Sequence, residues 1–140
     1  MSSSHRIGAA ARISGCSAES IRHYEKLQLL PAPARSDNGY RYYSQQDIQR
    51  LRFIRRGREL GLSLQTIREL LTMVDQMPHS DCEPVNRIAR HHLEDIEQRI
   101  QALELLAREL RSVVHQCKGG EVRDCKIIGA LSAGTNPLSM

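Results

Sequence analysis

Aromatic residues are scarce in this chain of 140 residues: four Tyr, one Phe and no Trp. A core must therefore be built from Leu, Ile and Val, with the rings reserved for special positions. No apolar run approaches the roughly 18 residues of a membrane-spanning helix. The start, Met1 to His5, is polar rather than leader-like. These absences lead to the expectation of a cytoplasmic protein without a membrane partner. No Gly-rich phosphate loop, Ser/His/Asp set or paired acid/base constellation stands out, so the chain is not expected to be an enzyme. In the cytosol its four cysteines, Cys16, Cys82, Cys117 and Cys125, are expected to be reduced, so disulfides are the weaker reading. Only two lie near the C-terminus, too few for an iron–sulfur cluster. Internal repeats and low-complexity tracts are also missing.

Charge is divided unevenly along what is there. From Met1 to Asp75 there are 12 Lys and Arg against 7 Asp and Glu, a net +5. From Gln76 onward the count is 8 against 9, a net −1. The five aromatics, Tyr24, Tyr40, Tyr42, Tyr43 and Phe53, all fall in the basic half. A basic half seeks phosphate, and the other half has a different task.

The pattern of the basic half predicts a helix over Ile7–Ile13, with small residues Ala9 to Ala11 suited to close packing. A turn follows at Ser14-Gly15-Cys16-Ser17, where Gly15 supplies the open backbone. Ser17 caps a second helix that runs to about Leu27. Helix, tight turn and helix within about 20 residues have the dimensions of a helix-turn-helix. Pro31 and Pro33 are expected to end helical structure. Asp37-Asn38-Gly39 is a hairpin signal, because Asn and Gly accept positive φ. Arg35 and Ser36 before it and Tyr40 to Tyr43 after it make this hairpin a wing. Ser44 and Asp47 resemble a capping box for a third helix, with Ile48, Leu51, Phe53, Ile54 and Leu60 expected on its buried side. Gly61 stops that helix, and Ser63 starts a fourth over Leu64 to about Val74, burying Ile67, Leu70 and Leu71. Five arginines on the third helix, Arg50 to Arg58, read either as phosphate contacts or as a solvated face. Cys16 reads as a small buried apolar residue.

From Asp81 to Cys117 one long helix is expected, with Pro84 harmless in its first turn. Positions 82, 86, 89, 93, 96, 100, 103, 107, 110, 114 and 117 hold Cys, Asn, Ala, Leu, Ile, Ile, Leu, Ala, Leu, Val and Cys. Their alternating steps of four and three make a coiled-coil seam five heptads long. A lone helix cannot bury it, so a homodimer is expected. Cys82 and Cys117 stand at opposite ends, roughly 50 Å apart along one helix. An antiparallel dimer would bring the partner's Cys82 near Cys117. Gly119 and Gly120 allow the chain to reverse and set Cys125 beside Cys117. Two symmetric thiol sites result, and thiolates select soft ions over Mg(II) and Ca(II). His91 and His92 read as ordinary surface or seam-edge residues, and His115, two residues from Cys117, as a lesser candidate for a ligand.

Four segments together resemble the MerR family of metal-responsive regulators, over about Arg6 to Leu131. They are Ile21-Arg22-His23-Tyr24-Glu25, Arg35 through Tyr43, Leu51-Arg52-Phe53-Ile54-Arg55-Arg56 and Gly61-Leu62-Ser63-Leu64, joined by the Cys117…Cys125 loop. The resemblance implies a mainly α chain. A winged helix-turn-helix (5–75) precedes an antiparallel coiled-coil dimerisation helix (81–117) and a metal-binding loop (117–131), with a disordered tail over 132–140. It implies DNA contacts from Ser17, Ser20, Arg22 and Tyr24 and from the wing residues Arg35, Asn38, Gly39, Tyr40 and Arg41. It further implies activation, with RNA polymerase at the same promoter, by distortion of spacer DNA. Position 23 is His where relatives mostly carry Arg, Tyr or Phe. The seven-residue loop resembles the Cu(I), Ag(I) and Au(I) sensors, whereas a Cys at position 82 resembles the mercury, cadmium, lead and zinc sensors. A third thiolate supplies the charge and coordination of a divalent ion, which favours Cd(II), Pb(II) or Hg(II). Lys118, where zinc sensors carry a second Cys, places Zn(II) behind them. A drug sensor would need an added ligand domain. A metal-storage or metal-carrier protein would leave the basic winged half without a purpose.

Overall fold

Three serines set the starts of three helices. Ser17, Ser44 and Ser63 stand in extended backbone, and each hydroxyl oxygen accepts from the N–H three residues on, at 3.0, 3.1 and 3.1 Å. Asp47 answers by accepting from the Ser44 N–H at 2.9 Å, which completes the capping box. Each cap is worth about 1 kcal/mol against Ala. The computed structural model describes residues 4–134.

Its elements run β1 (Ser4–His5), α1 (Ile7–Ser14), α2 (Ala18–Lys26), β2 (Ala34–Arg35), β3 (Arg41–Ser44), α3 (Gln45–Glu59) and α4 (Leu64–Gln76). Beyond them lie α5 (Glu83–Gln116), a 3-10 turn (Val122–Asp124) and α6 (Lys126–Ala133). The chain divides into two units between Val85 and Asn86.

In the first unit, α1, a turn at Gly15 (φ +80°) and α2 form the helix-turn-helix. β2 and β3 pair antiparallel as the wing, with Arg35 opposite Arg41. The Gly39 N–H donates to the Ser36 carbonyl at 2.9 Å, and Gly39 takes φ +81° as the hairpin requires. A third strand was not foreseen. β1 adds to the free edge of β3, with His5 opposite Tyr43. Two residues carry no periodicity by which to be read.

Two apolar clusters make the core. Ala10, Cys16, Ile21, Leu30, Tyr43, Ile48 and Leu51 pack α1, α2 and α3 together. Leu29, Ile54, Ile67 and Leu71 join α3 to α4, and Tyr24 touches both clusters. Each fully buried Ile or Leu contributes about 1.5–3 kcal/mol. Cys16 is buried, and its thiol donates to the Leu51 carbonyl at 3.5 Å, in keeping with a core role.

Helix α2 ends at Lys26 with Leu27 as its C-cap, where the sequence pattern set its end, and two other local expectations need correction. Gln28 takes φ +62°, its N–H donates to the Glu25 carbonyl, and the Leu29 N–H donates to Tyr24, a Schellman close that drops Leu29 into the core. The third helix buries Ile48, Leu51, Ile54 and Gly57 at three-residue steps. Phe53 falls off that stripe and is 39% exposed, while Leu60 is the C-cap past the end of the helix and is 51% exposed. At Gly57 an added Cβ would stand 3.1 Å from Ile67, so α3 and α4 meet at a glycine. Finally, α6 runs to Ala133, into the stretch expected to be a disordered tail, and residues 135–140 lie outside the described residues.

In the second unit α5 continues without interruption to Gln116, and Val113 is its buried residue. The Asp81 carboxylate accepts from the Glu83 N–H at 3.1 Å at its start. Among the described residues no helix is long and apolar enough to cross a membrane.

Candidate DNA-binding face and metal-binding loop

The second helix of the helix-turn-helix presents Arg22 and His23 to solvent. Ser17 and Ser20 are joined by a hydroxyl hydrogen bond of 2.9 Å at its N-terminus. Tyr24 turns inward and is half-buried. Burial raises its phenol pKa, the nearby Cys16 thiol adds to the rise, and Arg58 opposes it.

Glu25 is the junction that sequence reading missed. Its carboxylate accepts from the Tyr43 hydroxyl and pairs with the Arg41 guanidinium at 3.0 Å. Both partners stand on β3, so one carboxylate ties the wing to α2. Burial first, and then the bond and charge of Glu25, push the Tyr43 phenol up to about 12. The signal was the two-residue period of a strand, which sets Arg41 and Tyr43 on one face of β3.

On the wing, Asn38, Gly39 and Tyr40 are exposed at the tip. Arg35 donates weakly, at 3.4 Å, to the Gly39 carbonyl. A cleft of about 410 Å³ opens between the wing and α2, lined by Arg6, Arg22, Arg35, Tyr40 and Arg41. Arginine forks suit phosphate oxygens, and an exposed Tyr adds a further donor.

The arginines of α3 have partners inside the chain. Arg50 grips Asp75 at 2.8 and 3.0 Å and donates to the Leu29 carbonyl at 2.6 Å. Arg52 reaches the Ile13 carbonyl, Arg55 and Arg56 share Glu59, and Arg58 reaches the Leu62 carbonyl. Arg50 and Arg52 thus brace the fold across elements, whereas Arg55, Arg56 and Arg58 bond within α3 and the turn after it and stay exposed.

In the second unit, Cys117 follows the last turn of α5, and its N–H donates to the Val114 carbonyl. Gly119 and Gly120, at φ +84° and +112°, reverse the chain. The 3-10 turn then delivers Cys125 to the N-cap of α6. The backbone N–H groups of Ile128 and Ile127 lower the Cys125 thiol pKa, desolvation opposes them, and the Cys117 thiol lowers it further. The dipoles act through space, without a full side-chain cap bond. The reversal at Gly119 and Gly120 lies between Cys117 and Cys125, and the Cys117 thiol is among the groups that act on Cys125. The helix that primes Cys125 was not foreseen, because only eight residues form it.

All four cysteines are free thiols, and Cys82 is exposed just before α5. Among the described residues no three His, Cys, Asp or Glu side chains cluster to hold a metal. Thiols such as those of Cys117 and Cys125 are the donor type that soft ions prefer.

A family model described as a MerR HTH family regulatory protein matches residues 5–74, and a second, described as MerR, DNA binding, matches 48–113. The chain belongs to the MerR family of DNA-binding transcription regulators. Its relatives include the HTH-type transcriptional regulator ZntR of Escherichia coli K12, 36% identical over 134 residues, covering 94% of this chain and 95% of that one. The mercuric resistance operon regulatory protein of Bacillus cereus is 39% identical over 127 residues, with 90% and 96% covered. Among solved structures, the transcription regulator PbrR691 from Ralstonia metallidurans CH34 in complex with lead(II) aligns with a TM-score of 0.79. That pair is 35% identical, with 91% of this chain and 98% of the other covered. The MerR family is one of transcription regulators rather than enzymes.

One consequence for the MerR face is measurable. Arg22→Ala is expected to weaken DNA binding and flatten its salt dependence, by about one unit of log K against log salt for each phosphate it no longer neutralises. Fluorescence anisotropy from 50 to 300 mM KCl reads this slope, and an unchanged slope removes Arg22 from the set of phosphate ligands.

Proposed function

We propose that this MerR protein is a cytoplasmic, metal-responsive regulator that binds promoter DNA as an antiparallel homodimer and governs a metal-resistance promoter. One observation carries the reading: Gly119 and Gly120 reverse the chain between Cys117 and Cys125 at the end of a long helix, in a chain whose other half is a basic winged helix-turn-helix. Relatives named for mercury resistance and solved with lead(II) support it. The DNA unit spans 5–75, the dimerisation helix 81–117 and the loop 117–131. Arg22 and the wing residues Arg35, Asn38, Gly39, Tyr40 and Arg41 hold backbone phosphates and nearby bases, with Ser17, Ser20 and Tyr24 at the edge of the interface.

Cys117 and Cys125 provide two thiolates, and the partner's Cys82 provides a third. A bound soft cation supplies the positive charge that holds these three sulfurs together. Cd(II), Pb(II) and Hg(II) suit that set, with Zn(II) behind them. With the thiols drawn together, the dimer bends and undertwists an overlong promoter spacer, and RNA polymerase finds its two elements aligned. Without metal the same dimer represses. Such control works through DNA deformation and needs few base contacts.

The second reading, a Cu(I), Ag(I) or Au(I) sensor, rests on the seven-residue loop and two thiolates alone. Titrating the reduced protein with Zn, Cd, Pb, Hg, Cu(I) and Ag(I), followed by thiolate charge-transfer absorbance, separates the two. Cys82→Ser is expected to weaken the divalent ions by more than about tenfold, equivalent to about 1.4 kcal/mol, and to spare Cu(I) and Ag(I). Binding of Cu(I) alone, unchanged by Cys82→Ser, would establish the second reading instead.

A further inference from the structure

We propose that Arg6 is a DNA-phosphate ligand, presented by the N-terminal strand and completing a cleft of four guanidinium groups that receives the backbone of the bound duplex. This rests on the DNA-binding reading above and adds to it a residue from outside both the helix-turn-helix and the wing hairpin. β1 pairs Ser4 with Ser44 and His5 with Tyr43, which fixes the start of the chain along β3. Arg6, the next residue, is exposed, and its guanidinium carbon lies 3.8 Å from the centroid of the Tyr40 ring. Tyr40 belongs to the wing tip, so the third strand and the stack hold Arg6 against the wing.

The electrostatics favour an anion. Arg6, Arg22, Arg35 and Arg41 share one cleft of about 410 Å³. Among the described residues, Glu25 is the one carboxylate paired with any of the four, through Arg41 at 3.0 Å. Three guanidinium charges are left without a counter-charge. A guanidinium stacked on a ring uses its face and keeps its edge donors free. Phosphodiester oxygens accept such donors in pairs, and a duplex offers them at a regular spacing. The Tyr40 ring also limits the rotamers of Arg6, so binding costs less side-chain freedom.

The test uses the full-length protein and a duplex that the unaltered protein has selected from a random-sequence library. Affinity is measured from 50 to 300 mM KCl, with melting temperature as a parallel readout. Arg6→Ala, altering both copies of a dimer, is expected to lower affinity about tenfold and flatten the log–log salt slope by about two, with little change in melting. Tyr40→Ala is expected to reproduce most of that drop in slope, and Tyr40→Phe, which keeps the ring under Arg6 and loses only the hydroxyl donor, to keep the slope while losing less affinity than Tyr40→Ala. Should Arg6→Ala fold poorly, Arg6→Gln carries the same expectation with the side-chain length largely preserved. A parent slope in the folded Arg6 variant overturns the inference, and so does a drop in melting temperature with the slope unchanged. If the unaltered protein selects no duplex, the DNA-binding reading fails first and the inference falls with it.

Discussion

Cys125→Ser is expected to abolish metal-induced transcription and to leave promoter affinity within about twofold, and Cys117→Ser is expected to behave in the same way. This is the larger of the expected effects, because the loop holds two thiolates per chain and each substitution removes half of them. A serine hydroxyl stays protonated at neutral pH and is a hard donor, so it does not replace a thiolate for a soft ion. The Cys125 position sharpens the test. Its sulfur stands at the N-cap of α6, where Ser is a better capping residue than Cys. Loss of response in Cys125→Ser therefore cannot be assigned to a melted α6. Promoter affinity is expected to hold, because the cationic cleft, Arg22 and the wing all belong to the first unit, and Cys117 and Cys125 to the second. Run-off transcription with purified polymerase, titrated with Cd(II), Pb(II) and Hg(II), measures the response, and anisotropy measures the affinity. A full response in either variant would falsify the two-thiol site.

How much of this site could be read before the fold was known depends on how local each signal is. The turns at Gly15, Asn38-Gly39 and Gly61 and the serine caps are chemistry within four residues, and they appear where the sequence places them. The loop glycines are equally local, and Gly119 and Gly120 turn the chain between Cys117 and Cys125 where the sequence places them. What escaped was decided by tertiary partners. Glu25 shows its role only when β3 is laid beside α2 and brings Tyr43 and Arg41 to one carboxylate. Arg50 looks like any basic helix residue until Asp75 of α4 and the Leu29 carbonyl arrive from 25 and 21 residues away. Gln28 adopts φ +62° without being Gly or Asn, because burying Leu29 and closing α2 outweigh a strain of about 1 kcal/mol. Phe53 was placed inside on hydrophobicity alone, yet it stands one residue from Ile54 and so about 100° away around α3.

The second large effect tests the dimer. Along α5, Leu93, Ile100, Leu103, Leu110 and Val114 are all more than half exposed, on the seam stripe, in a helix of 34 residues. Bringing the partner's Cys82 to Cys117 fixes the register of an antiparallel pair: facing positions sum to about 199. Ile100 then lies beside the partner's Ile100 at the two-fold axis, and Leu103 faces the partner's Ile96. Ile100→Asp sets two carboxylates against each other in an apolar seam, which removes two buried Ile side chains and adds like-charge repulsion. The expected result is a monomer by analytical ultracentrifugation at micromolar concentration. Its DNA affinity should fall by about a thousandfold or more, since one winged unit grips only one half-site. Orientation is tested by a charge swap within one chain. Leu103→Asp with Ile96→Lys places opposite charges face to face in an antiparallel pair, but like charges face to face in a parallel one. Recovery of the dimer in the double variant, after its loss in Leu103→Asp alone, requires the antiparallel arrangement. Failure to recover, with the unaltered protein dimeric, would separate the partner's Cys82 from the Cys117–Cys125 loop and leave a two-sulfur site. The preference would then pass to a linear monovalent ion, so the geometry of one apolar stripe decides which metal the thiols select.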